Sequence, residues 1–262
     1  MINRYIPRQT YAIVTGYLNN QMTGLVAGAT INDDNTIQLT FPKNNPFTDE
    51  QEVTLHIDDR TGIETFTQDL SVNRCSYKAV LQKCADESAL AKPVEFELVY
   101  EHSIMVSYKA PSYDFPIDNR PEINLTETHL KDYIISDEKE KENKLGVLST
   151  MAIDRPHTTV MAFLSSKEDD IFLISHKGTL KSGFIQRDNS CLFAIDHRSS
   201  YHFEKKYDWN YTVLRGETFI IPRTNKIFEK IQKQFIEKNP WEELFFTDPN
   251  VEMYHIKPIE II

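Results

Sequence analysis

The run Ile174-Ser175-His176-Lys177-Gly178-Thr179-Leu180-Lys181-Ser182-Gly183-Phe184-Ile185-Gln186-Arg187-Asp188-Asn189 concentrates hydroxyl, imidazole and ammonium groups within a few residues. An apolar stretch delivers Ser175, His176 and Lys177 into a turn at Gly178, and the pattern predicts a helix from about Thr179. The hydroxyls of Ser175 and Thr179, the ammonium groups of Lys177 and Lys181, and the N–H groups of a helix start suit a small anion such as a phosphate group. Without a ligand the same residues describe a capped helix with two surface lysines.

Three further sets of residues carry weaker signals. Arg4-x-x-x-Arg8 together with Asp69-Leu70-Ser71 offers paired guanidinium groups, which suit phosphates and guanine edges. His197-Arg198-Ser199-Ser200-Tyr201-His202 holds two histidines, with no HxH, HExxH or carboxylate pair beside them, so surface or hydrogen-bonding roles are expected in place of metal or haem binding. Trp209 and the aromatic residue of Asn239-Pro240-Trp241-Glu242-Glu243 are expected in the core or at a dimer contact.

The chain around these residues is that of an ordinary globular protein: 262 residues, 40% hydrophobic and 26% charged, with a formal net charge of −10. That balance excludes collagen-like, mucin-like and largely disordered classes. The acid excess also argues against duplex nucleic acid as a partner, since that contact is driven by clustered Lys and Arg. Cys75, Cys84 and Cys191 are too few and too scattered for a disulfide scaffold and are expected as reduced thiols. No signal-like amino terminus or membrane-length apolar run is present, which leads to the expectation of a cytoplasmic location without membrane contact.

Up to about residue 109 the sequence reads as short strands at 10–18, 24–30, 36–41, 52–57, 63–70, 76–81, 94–100 and 104–108, separated by Asn, Asp, Gly and Pro turn signals. This predicts a small antiparallel barrel or sandwich over 1–110. Prolines at 111, 116 and 121 mark 111–125 as a linker or extended arm. Leu130, Tyr133 and Ile134 predict a helix over 126–144, closed by the charged run 137–144. From Leu145 onward the order is β-β-β-α-β-β-α-β, with strands at 145–153, 157–164, 171–175, 192–196, 211–222 and 251–256. The helices are a short one at 179–187 and a longer one at 224–238, with Thr224 as its expected cap and Asn239-Pro240 as its stop. Such a strand-rich order favours a closed barrel with peripheral helices over a parallel sheet.

Three segments in this second half carry a resemblance. Leu148-Ser149-Thr150-Met151-Ala152-Ile153-Asp154-Arg155-Pro156-His157-Thr158-Thr159-Val160, the stretch 171–189, and Tyr211-Thr212-Val213-Leu214-Arg215-Gly216-Glu217 follow one another in the order found in the split-barrel flavin-binding family related to pyridoxamine 5'-phosphate oxidase. Residues 126–262 resemble that family. The resemblance implies an FMN-binding split β-barrel that forms a homodimer with the cofactor at the subunit interface. By position it implies that Ser175, His176, Lys177, Thr179 and Lys181 surround the phosphate. Thr158, Thr159, Val160 and Met161 would run along the flavin or ribityl chain, with Trp209 and Tyr211 supplied by a neighbouring subunit or a facing strand. Similar barrels also host F420 or haem. The first half is faintly similar to PilZ-like barrels, through Arg4, Arg8 and Asp69-Leu70-Ser71, with Arg74 where that motif has glycine.

Thr159 stands where oxidase members often carry Arg, Thr179-Leu180-Lys181 stands where they carry Ser-Arg-Lys, and Tyr254-His255-Ile256-Lys257-Pro258 lacks their Arg and His substrate pair. The expected function is therefore that of an FMN-binding oxidoreductase-like protein acting on a small redox substrate, and not of a true pyridoxamine phosphate oxidase. The alternative is a dimeric binding or regulatory protein that has lost the flavin.

Overall fold

The computed structural model describes residues 1–42, 44–60, 71–135, 145–196 and 209–262. The chain folds into two antiparallel β structures with few helices. The first contains β1 (Gln9–Leu18), β2 (Gln21–Ile31), β3 (Ile37–Thr40), β4 (Glu52–Asp58), β5 (Arg74–Ala85), β6 (Ser88–Tyr100) and β7 (Ser103–Lys109). Its strand order is β3-β2-β1-β4-β5-β6-β7, and an added β3–β6 pairing closes six strands into a barrel. One long strand serves two neighbours: Leu90 and Ala91 of β6 lie on β3, whereas Glu95 to Tyr100 lie on β7.

The second contains β8 (Leu145–Thr150), β9 (His157–Ala162), β10 (Leu164–Ser165), β11 (Ile171–His176), β12 (Ser190–Asp196), β13 (Tyr211–Ile221) and β14 (Val251–Ile261), in the order β10-β11-β14-β13-β12-β8-β9. Only Phe163 separates β9 from β10, so one bent segment provides both edges of the sheet and curls it into a barrel. Two helices flank it, α1 (Leu180–Ile185) and α2 (Phe228–Lys238).

The near-continuous burial of several strands follows from having a core on each face. In β1, Ala12 and Val14 point into the first barrel, while the alternating Tyr11 and Ile13 join a cluster shared with the second. In β12, Cys191, Phe193 and Ile195 fill the second barrel, and Leu192 and Ala194 face the first. Val147, Val213, Met22, Val26 and Trp209 complete the shared cluster. Each large apolar side chain fully removed from water contributes about 1.5–3 kcal/mol, which makes this a stable contact between barrels.

Polar ties frame that cluster. The Tyr17 hydroxyl donates to Ala152 O at 2.8 Å and accepts from Ala152 N at 3.0 Å. Arg215 donates through Nε and Nη2 to Met22 O at 3.1 and 2.9 Å. Arg155, from the turn between β8 and β9, is buried and reaches Glu52 at 2.7 Å.

Several sequence expectations need correction. Residues 126–135 are extended and form no helix. Pairing between β12 and β13 stops at Glu217, leaving the next stretch of β13 with an open edge. The 126–128 backbone fills it, with Thr128 N donating to Ile220 O and Ile220 N to Thr126 O. A sheet edge thus outcompetes the helical spacing of Leu130, Tyr133 and Ile134, and the charged run 137–144 lies outside the described residues. The strand expected at 94–100 begins earlier, at Ser88, because Pro93 sits beside a β-bulge at Lys78/Ala79 that tolerates it. The strand expected at 251–256 runs on through Pro258 to Ile261, because β14 pairs with β11 only up to Ile256, so no partner on that side needs an N–H at the proline. Thr224 does not cap α2: the helix starts after Ile227 with no side-chain cap, and Asn225 Oδ1 accepts from Ile227 N at 3.1 Å in the turn that precedes it. The strand expected at 63–70 is outside the described residues.

No helix among the described residues is long and apolar enough to cross a membrane. All three cysteines are free thiols: Cys75 and Cys191 are buried and Cys84 is half-buried.

Candidate functional site

Strands β9 and β11 and helix α1 meet at the seam between the barrels, around a pocket of about 370 Å³. Its lining includes Thr159, Val160 and Met161 of β9, Ser175 and His176 of β11, and Thr179 and Lys181 around the start of α1. Seven of the nine residues singled out in the sequence are therefore side by side. The other two point elsewhere. Thr158 is buried toward the first barrel, its Oγ1 3.3 Å from Ser76 Oγ. Lys177 is exposed and lies 3.6 Å from Glu252.

Alternation sets Thr159 and Met161 on the face of β9 opposite Thr158, whereas Val160 and Ala162, which share the face of Thr158, line the pocket as well. The barrel bends from β9 into β10 close to Met161, which brings neighbouring residues into one wall.

The hydroxyl groups are largely committed to one another. Ser175 Oγ and Thr179 Oγ1 are 3.0 Å apart, Ser182 Oγ donates to Ser175 Oγ at 3.0 Å, and Thr179 Oγ1 donates to His176 O at 2.9 Å. Thr179 also caps α1 by accepting from Ser182 N at 3.4 Å. His176 Nδ1 accepts from Gly178 N at 3.1 Å. These bonds fix the turn and leave α1 only six residues long, so the expected anion cradle of helix N–H groups is not what the loop offers.

Charge is what the pocket does offer. Lys181 is half-buried, and desolvation together with the nearby Arg74 guanidinium pushes its pKa down to about 8, with Glu242 opposing. Arg74 belongs to the first barrel, as does His102, and both line the pocket. Glu242 and Phe245 come from the 3-10 stretch Pro240–Thr247 that follows α2. Lys181 and Arg74 place two cations on the lining of one pocket, a charge balance suited to an anionic group, with the Glu242 carboxylate acting against it. At the other end of β9, burial and the nearby Lys181 and Lys78 push the His157 pKa down to about 4.

Arg74, His102, Glu242 and Phe245 carry no ligand signal in the sequence, because they reach the site only through tertiary packing. Trp209 packs edge-on to Tyr11 in the shared cluster, ring centroids 4.7 Å apart, and neither it nor Tyr211 lines the pocket. Arg4 and Arg8 are exposed, while Asp69, Leu70 and the segment 197–202 lie outside the described residues. Among the described residues no group of three His, Cys, Asp or Glu side chains is placed to hold a metal ion.

A second pocket, about 390 Å³, lies under the extended segment at Thr128. Here His255 Nε2 is 2.7 Å from Asp170 Oδ1 and its Nδ1 is 2.7 Å from Thr128 Oγ1. A carboxylate only accepts, so Nε2 carries the proton, and in the neutral ring Nδ1 accepts from the threonine.

No protein-family model matches the chain, and no curated protein matches it. Solved structures do. The heme storage protein HutZ from Vibrio cholerae aligns at 12% identity with a TM-score of 0.42, over 47% of this chain and 89% of that one. An FAD-binding protein from Mesorhizobium loti aligns at 13% and 0.36, over 47% and 84%. General Stress Protein 26 from Bacillus anthracis aligns at 21% and 0.33, over 45% and 82%. Likenesses this distant assign neither a ligand nor an activity to the chain.

Proposed function

We propose that the seam pocket binds the phosphate end of a flavin mononucleotide, and that the protein is an FMN-binding, oxidoreductase-like protein and not a pyridoxamine phosphate oxidase. The observation that carries this reading is the presence of Lys181 and Arg74 together in a pocket whose lining also includes the apolar Val160, Met161, Ala162, Ile174 and Phe245, with Glu242 as its one carboxylate among the described residues. The pocket's volume lies in the range of small-molecule sites, and a mostly apolar wall with a few placed charges is the usual form of one. Bound FMN would supply hydride or electron transfer, so the chain itself needs no nucleophile. In this reading Lys181 and Arg74 hold the anion, Thr179 and Ser175 fix the loop that presents Lys181, and β9 forms the flat wall.

A specific observation favours a second reading, a binding or regulatory protein without flavin. Thr159 Oγ1 is 3.2 Å from His157 Nε2, and the hydroxyls of Ser175, Thr179 and Ser182 bond to one another, leaving fewer donors for a phosphate.

Titration with FMN, read by flavin fluorescence, decides between them. Loss of at least about tenfold in affinity in Lys181→Ala, equal to about 1.4 kcal/mol, is the expected result. Colourless protein that takes up no FMN overturns the flavin reading and leaves the second.

A further inference from the structure

The two barrels have the same wiring. Round the first, the strands run β1-β2-β3-β6-β5-β4 and return to β1. Round the second, with β9 and β10 as one bent strand, they run β8-β9/β10-β11-β14-β13-β12 and return to β8. Numbered within each barrel, both circuits read first, second, third, sixth, fifth, fourth.

The registers agree as well. Asp58 faces Arg74 at the end of the first barrel's fourth strand, and Asp196 faces Tyr211 at the end of the second's. Carried across the ladders, this alignment matches Ile13 with Val147, Gly28 with Ala162, and Lys78 with Arg215. Lys78 faces and ion-pairs with Glu95, as Arg215 does with Glu260. The ladder slips immediately after each cation, at Lys78/Ala79 and at Arg215/Gly216, and the next residues face Pro93 and Pro258. The two proline segments read Lys92-Pro93-Val94-Glu95 and Lys257-Pro258-Ile259-Glu260.

The docking has the reciprocity of a two-fold interface. Strand β2 lies against β12 and β13, and β9 lies against β4 and β5, so the second strand of each barrel touches the fourth and fifth of the other.

We infer that the chain is an internally duplicated pair of barrels in which the first takes the place of a second subunit, so that one copy of the chain, as a monomer, builds a single composite anion cleft. The two matching seams have diverged. On one side Arg74, the first residue of β5, lines the open pocket. On the other, β13 begins at Tyr211, and the preceding Trp209 covers Gly28, where an added Cβ would lie 3.2 Å from the indole. Glycine lets the ring lie close against the strand, since a Cβ there would press on it, and the indole fills the seam that would otherwise mirror the pocket. The anionic nature of the ligand rests on the reading of the pocket given above; the duplication does not.

Two measurements on the full chain test this without any ligand. Light scattering should give the mass of one chain over about a hundredfold range of concentration, since association is governed by mass action; a mass of two chains overturns the inference. The pH profile of Lys181 acetylation, read by mass spectrometry, should shift upward in Arg74→Ala and return toward the parent in Arg74→Lys, because a neighbouring cation disfavours the charged amine. An unmoved midpoint in Arg74→Ala, in folded protein, also overturns it, since the first barrel would then not furnish the pocket's second wall. Failure of FMN to bind would remove the flavin reading alone.

Discussion

Asp58 and Asp196, matching residues at the ends of two fourth strands, converge on one guanidinium group, that of Arg60, at 2.9 and 3.9 Å. All three residues are buried, and Arg60 Nη1 also donates to Leu145 O at 3.3 Å, so the group ties both barrels at their seam. Arg60→Met removes the cation and leaves two carboxylates away from water. The expected cost is about 3–5 kcal/mol, the range found when one partner of a buried pair is deleted. Urea unfolding of the variant against the parent measures it.

Lys181 makes stability rise on the alkaline side. Its pKa is near 8 in the folded protein, below the ordinary 10.5, so between those values the unfolded chain holds more protons. Stability therefore climbs with pH across that window. In Lys181→Met this contribution is absent, and the difference between the two urea-midpoint profiles isolates it. Affinity for an anion should run the opposite way, falling as pH rises through about 8.

His157 acts on the acid side. Its pKa is held near 4 against an ordinary 6.5, so the unfolded chain takes up a proton first as pH falls. The stability present above pH 6.5 is progressively lost down to about 4. Acid unfolding of His157→Gln should begin at lower pH than that of the parent, monitored by circular dichroism.

His255 holds the extended segment that covers β13. His255→Phe preserves ring packing against Phe172, 5.5 Å away, yet removes the imidazole bonds of Asp170 Oδ1 and of the Thr128 hydroxyl. Leaving such groups unmatched costs about 1–3 kcal/mol. Hydrogen exchange should speed up at the Thr128 amide, which bonds Ile220 O, before it does so in β13.

What the sequence made legible follows from period and local chemistry. Strands such as β11 and β12 announce themselves as apolar runs, and Ser175, Thr179 and Lys181 stand close enough in sequence for their turn to be read directly. The 126–135 segment misleads because its apolar spacing is helical, while its conformation is dictated by an open edge far away in sequence. Arg74 reaches Lys181 through the docking of two barrels, which no local pattern encodes. The repeat is visible only as Lys-Pro-Val-Glu and Lys-Pro-Ile-Glu, because the strands between these segments have diverged and the loops differ in length.

The backbone bonds that Thr126 and Thr128 make with Ile220 also guard against a hazard. A strand edge with free N–H and C=O groups is a template for a strand of another molecule, and the apolar sequence Thr218-Phe219-Ile220-Ile221 would be an adhesive one. By laying its own chain there, the protein shields that edge from aggregation. Changes that loosen this segment should therefore lower solubility during refolding even where the folded barrels retain their stability.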